Sequence, residues 1–184
     1  MVAYAGVVRN VARLIKTLTD EPSDSEQTPP APTIWIDADA CPVMVKELVY
    51  RAADRRQIPV VVVANQSIPI PKSAFVRRVT VRDGADMADH AIVAASKAGD
   101  LVIADDVPLA ARVIENGVLV ITSRGELYNE RNIHNRLATR DLMEQLRLSG
   151  VETGGPKAFG KKDAQAFANQ LDRTLTKLLK RSAR

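Results

Sequence analysis

From residue 33 onward the chain alternates short, almost wholly apolar runs with longer stretches in which apolar residues recur every third or fourth position. The apolar runs at 33–37, 59–64, 77–82, 101–104 and 118–122 are predicted to be β-strands. Residues 43–56, 86–97, 108–116, 130–148 and 162–181 carry the spacing of helices, with Val45, Leu48, Val49 and Ala52 on one side of the first. Gly99 and Gly117 stand where helices should stop. Residues 65–76 contain Pro69 and Pro71 and predict an irregular crossover. Short strands without a polar face, alternating with helices, imply a mainly parallel sheet of about five strands covered on both sides. That is a three-layer α/β/α sandwich.

Ahead of this pattern, Tyr4, Val7, Val8, Val11, Leu14, Ile15 and Leu18 fall at helical spacing, with Arg9, Arg13 and Lys16 opposite. The polar, proline-rich EPSDSEQTPPAPT follows and reads as a linker. The chain is therefore divided into an N-terminal amphipathic extension with linker, 1–32, and a single α/β domain, 33–184, ending in a basic helix. A length of 184 residues suits one domain with a real core.

Charge sharpens the picture only at the end of the chain. The formal net charge is +4, and residues 151–184 hold eight Lys and Arg against three Asp and Glu. A basic tail suits a phosphate backbone, and equally a solvated helix. The single cysteine, Cys41, excludes an internal disulfide and is expected in a reducing, cytoplasmic compartment. No apolar run reaches membrane-spanning length, and the first residues lack the pattern of a secretory signal, so no membrane partner is expected.

The candidate chemistry lies in the acids. Asp37 and Asp39, in DADACP, follow the first strand; Asp86 and Asp89, in DGADMADHAIV, open the helix after the third; Asp105 and Asp106, in LVIADDVPLA, follow the fourth. In a parallel sheet ligands bind outside the carboxyl ends of the strands. Three segments thus deliver carboxylates to one edge, where Mg²⁺ or Mn²⁺, which prefer oxygen ligands, would offset their repulsion. Asp86 and Asp89 also have the spacing of an N-cap and its N3 partner. Pro42 and Pro108 favour the first helical position, which makes Ala40 or Cys41, and Val107, the expected caps and leaves Asp37 and Asp39 unexplained by capping. Cys41 reads as a small buried residue beside these acids rather than a reactive thiolate. His90 and His134, with one cysteine, do not make a zinc site.

These segments, IDADACPV, PVVVVAN, VRDGADMADHAIV, GDLVIADDVPLA, SRGELYNERNI, ATRDLMEQLR and TGGPKAFGKKD, resemble the YaiI/YqxD family, also called UPF0178 or DUF188, from about Ile34 to about Leu179. The family's fold is related to PIN-like nuclease domains. The resemblance implies a divalent-metal-dependent nuclease that hydrolyses phosphodiesters, chiefly in RNA. Asp37, Asp86 and Asp106 would be catalytic, and Asp37, Asp39, Asp86, Asp89 and Asp106 would bind the metal. Ala104 stands where such sites often carry threonine or serine before the last aspartate, and the role of Asp105 stays open. Lys157, Lys161, Lys162 and Arg124 are the expected nucleic-acid contacts. Two other readings compete. One is a non-catalytic module binding RNA or protein on the same fold, although aromatic residues for base stacking are scarce at 4%. The other is a haloacid-dehalogenase-like phosphatase using Asp37 as nucleophile and Asp39 as acid. The oligomeric state cannot be read from the sequence.

Overall fold

A computed structural model describes residues 31–81, 86–151, 154–155 and 157–182. The proposed helix at 2–18 and its linker up to residue 30 lie outside the described residues, as do Arg82 at the end of the third predicted strand and Thr153 and Pro156 of TGGPKAFGKKD. The apolar runs pair side by side as β1 (Ile34–Asp37), β2 (Val60–Ala64), β3 (Val76–Thr80), β4 (Leu101–Ile103) and β5 (Leu119–Ile121), all parallel. A sixth strand, β6 (Leu127–Tyr128), returns antiparallel to β5. It is too short for periodicity to reveal, so the expected five strands become six. The helices are α1 (Val43–Arg56), α2 (Met87–Ala95), α3 (Val107–Glu115), α4 (Ile133–Leu148) and α5 (Lys161–Ser182).

The strand order is β3-β2-β1-β4-β5-β6. The chain builds outward from β1 in one direction, then returns to β4 and builds outward in the other. The boundary between β1 and β4 is the topological switch point, where the crevice of an open α/β sheet forms.

Strand alternation divides the core in two. Ile34, Ile36, Val60, Val62, Leu101 and Ile103 pack against Val45 and Val49 of α1 and Phe167, Leu171 and Leu175 of α5. Trp35, Val61, Val63 and Val102 pack on the other face against Ile92 of α2 and Leu109, Val113 and Ile114 of α3. Because both faces are covered, no strand of the central four needs a polar side, which is why their sequences read as unbroken apolar runs.

At the amino edge of the sheet, Asp100 is buried at 2% exposure. It accepts hydrogen bonds from Thr33 N at 2.9 Å, Trp35 Nε1 at 3.0 Å and Lys97 N at 3.1 Å. Burial raises its proton affinity, and these three donors oppose that shift. The carboxylate thereby ties the start of β1 to the turn before β4.

The turn from β5 to β6 passes Gly125 at φ +81, against the backbone of α5. A Cβ there would lie 2.6 Å from the carbonyl carbon of Ala166. Gly125→Ala is expected to cost about 1–3 kcal/mol from the left-handed backbone alone, with the clash against α5 added. Urea unfolding measures the loss, and a loss no greater than that backbone cost would show that the turn and α5 are not in contact in solution.

Candidate functional site: an acidic sheet edge

The carboxyl ends of the parallel strands gather the acids that the sequence singles out. Asp37 is the last residue of β1, Asp39 follows in the loop, Asp86 and Asp89 begin α2, and Asp105 and Asp106 sit between β4 and α3. Alternation explains how the last two diverge. Val102 and Ala104 face the α2–α3 layer, whereas Ile103 faces α1 and α5. Asp106 continues the first set and Asp105 the second.

Asp106 is the N-cap of α3: its Oδ1 accepts from Leu109 N at 2.6 Å. This corrects the expectation that Val107 would be the cap, since Pro108 occupies the second helical position rather than the first. Asp105 Oδ1 accepts from Ser123 N at 2.7 Å and so links the ends of β4 and β5. Asp39 accepts from Asn65 N through Oδ2 at 3.0 Å and Oδ1 at 3.3 Å, joining the ends of β1 and β2. The cap position of α1 falls on Pro42 and not on Ala40 or Cys41, and no side chain caps that helix. Asp86 holds the N-cap position of α2 at φ +65, also without a side-chain cap bond. Asp86 and Asp89 thus hold the expected N-cap and N3 positions of α2, but Asp86 makes no side-chain capping bond.

Asp37 differs from the other carboxylates at this edge in being buried, at 9% exposure. Its pKa is pushed up to about 6, first by burial and then by the charges of Asp89, Asp39 and Asp106. The Asp39 backbone N–H offsets part of this. Asp89 is raised as well, by burial and by Asp106 and Asp86, against the pull of Arg112 and His90. Arg112 Nη2 lies 2.8 Å from His90 Nδ1, so α3 and α2 are bound together beside Asp89. The Cys41 thiol is pushed up to about 12 by burial, reinforced by Asp105 and Asp37 against the nearby Lys46. It is a neutral packing group at this edge, as the sequence suggested.

Asp37, Asp39, Asp89 and Asp106 therefore form one electrostatically coupled group at the switch point. In this arrangement of side chains, no three His, Cys, Asp or Glu among the described residues stand close enough to hold one metal ion. The donors nevertheless suit Mg²⁺ in kind. They are hard oxygen ligands, and Mg²⁺ is commonly held by only one or two carboxylates with water completing its shell.

The basic residues expected to meet nucleic acid lie beside the same edge. Arg124 follows β5, pairs with Asp163 at 3.0 Å and donates to the Lys157 carbonyl. Lys157, Lys161 and Lys162 are exposed at the start of α5. Sequence reasoning did not single out Arg112, which neighbours Asp89, or Ser123, which anchors Asp105. Both depend on contacts between segments that no local pattern displays.

The fold and this edge define a doubly wound α/β protein with an acidic crevice at its switch point. Over residues 35–177 the chain matches the family described as "Uncharacterized BCR, YaiI/YqxD family", and it belongs to that family. It is 55% identical over 144 residues to a UPF0178 protein of Shewanella piezotolerans, covering 78% of this chain and 95% of that one. It is 54% identical over 145 residues to a UPF0178 protein of Dechloromonas aromatica, covering 79% and 97%. The UPF0178 protein YaiI of Shigella flexneri is 52% identical over 141 residues, covering 77% and 93%. No solved structure matches the chain. Among the described residues no helix is long and apolar enough to cross a membrane.

Proposed function

We propose that the acidic edge binds Mg²⁺ or Mn²⁺ and hydrolyses phosphodiesters, with RNA as the substrate. The observation that carries this reading is Asp37, a buried carboxyl placed at the switch point with three other carboxylates raising its proton affinity. Such a placement costs the fold stability, and the Asp39 backbone N–H offsets only part of that cost. A divalent cation offsets the repulsion. Asp37 and Asp106 would hold it, with Asp39, Asp86 and Asp89 around them. Bound there, the cation would supply an acidified water and neutralise charge on phosphoryl oxygens.

The chain's own residues do the rest. Asp106 keeps one oxygen on the α3 backbone, which fixes its carboxylate in place. Arg112 and His90 anchor the α2–α3 side next to Asp89. The exposed Lys157, Lys161 and Lys162 supply attraction for a polyanion beside the crevice.

Purified protein with single-stranded and structured RNA in Mg²⁺ or Mn²⁺ tests the reading, beside Asp37→Asn and Asp106→Asn. Asparagine caps a helix about as well as aspartate, so Asp106→Asn removes charge while keeping α3 intact. Each substitution is expected to reduce cleavage by more than the ~10–100-fold that outer-shell partners of a metal are worth. Cleavage surviving both would place the activity elsewhere. No cleavage, with no heat of metal binding in calorimetry, would make the protein a non-catalytic binding module.

A further inference from the structure

We infer that α4 is the arm that seats single-stranded nucleic acid, with Arg140 and Arg147 contacting its phosphates and leading the strand to the acidic edge. This rests on the reading of that edge as a phosphodiester site. Ile133 is the sole fully buried residue of this 16-residue helix. Packing therefore holds the root of α4, and in its second half only Leu146 is even half-buried. On that half Leu142 is 55% exposed, Met143 36% and Leu148 84%.

Arg136, Arg140 and Arg147 are spaced four and seven residues apart, which places them within about 40° of one another around the helix axis. Met143 falls on the same stripe, between the last two. Arg136 roots the stripe in the body, pairing with Glu126 and lying 5.8 Å over the Tyr128 ring. Arg140 is within electrostatic reach of Asp106, the N-cap of α3, and α3 is the helix against which α4 packs. Arg140 pairs with Asp141 at 3.0 Å and Glu144 at 2.8 Å. All three of these side chains are about half exposed, and ion pairs of that kind contribute little, so they hold Arg140 only weakly against a competing anion. The strip thus presents cationic groups to solvent with Met143 among them, a track for a phosphate backbone rather than a stacking platform for bases. A second basic flank, at Lys157 ahead of α5 and Lys161 and Lys162 at its start, borders the same edge.

The test is fluorescence anisotropy with a labelled, unstructured single-stranded RNA in EDTA, where no metal-assisted cleavage takes place. Arg140→Gln/Arg147→Gln is compared with the parent chain, with far-UV circular dichroism checking that both are folded. Arg136 is left in place to keep the root of the helix. Affinity is expected to fall at least tenfold, and the slope of log affinity against log salt to shrink by about 1.4, two contacts at ~0.7 each. Arg140→Gln alone is expected to shrink the slope by about half as much. Unchanged affinity and slope in a folded double variant would overturn the inference, as would a parent chain that binds no RNA. Binding to anionic lipid vesicles but not RNA, lost in the double variant, would overturn it in favour of a membrane surface. Asp37→Asn is expected to bind RNA at least as tightly as the parent. A failure of the hydrolytic reading therefore shows up in cleavage and metal binding, separately from a failure here.

Discussion

Asp37→Asn is expected to stabilise the folded chain by about 3 kcal/mol near pH 8 and to change it little near pH 3.5. The Asp37 carboxyl has a pKa of about 6 when folded, against an ordinary value of 3.8. The folded state therefore holds this proton more tightly than the unfolded state does. Stability is highest below the unfolded value and is lost as pH rises from 3.8 through 6, because ionising Asp37 beside Asp89, Asp39 and Asp106 costs more in the folded crevice than in water. Asparagine carries no such charge, so the variant's stability should not fall across that window on account of this site. Urea titrations of both chains through the range provide the check. Parallel profiles would mean that Asp37 is not under the strain its surroundings imply. Added Mg²⁺ or Mn²⁺ is expected to raise the unfolding temperature of the parent and to leave Asp37→Asn unmoved, since a ligand stabilises only the folded state that binds it. A substitution that strengthens the fold while abolishing the proposed reaction would mark this residue as kept for chemistry.

Asp100 makes the opposite case. Asp100→Ala is expected to destabilise the chain by about 3 kcal/mol, because three N–H donors lose their acceptor and one of them is fully buried. The donors are Thr33 N, Trp35 Nε1 and Lys97 N. Asp100→Asn should recover only part of this. Oδ1 serves Thr33 while Oδ2 serves both Trp35 and Lys97, so one of the two sides must then face an amide donor. Trp35 is the chain's single tryptophan, and its fluorescence reports unfolding from the side of the defect. A loss well under 1 kcal/mol would show that water replaces the carboxylate without penalty. Neither substitution reaches the carboxyl edge, so the RNA and metal binding proposed for that edge should be the same in the folded fraction as in the parent.

These two aspartates also show what the sequence made legible. Alternating apolar runs and helical spacing were enough to place the strands, and the edge rule for parallel sheets then gathered Asp37, Asp39, Asp86, Asp89 and Asp106 at one end. The separation of Asp105 from Asp106 follows from the period of a strand, yet it needed the facing layers to give it meaning: Ser123 on one side and Asp89 on the other. Val107 was expected to cap α3 because proline is favoured at the first helical position. The helix began one residue earlier, and Asp106 took the cap. Asp100 was not among the acids singled out, since its partners Thr33 and Trp35 lie 67 and 65 residues away in sequence. The stripe on α4 was hidden for a different reason. Its spacing is that of any amphipathic helix, and only burial shows that the second half of that helix has no fully buried residue.

The sheet's two borders bear on how this chain behaves in company. Runs such as VVVVA in β2 would template fibrillar stacking if another strand reached them. In this fold they lie inside the sheet. One border is β3, which turns Arg77 and Arg78 outward; the other is β6, only two residues long. Charged and truncated borders discourage strands of neighbouring molecules from adding on. Reversing that safeguard, with Arg77→Val/Arg78→Val, would convert a border into an adhesive seam while leaving the crevice untouched.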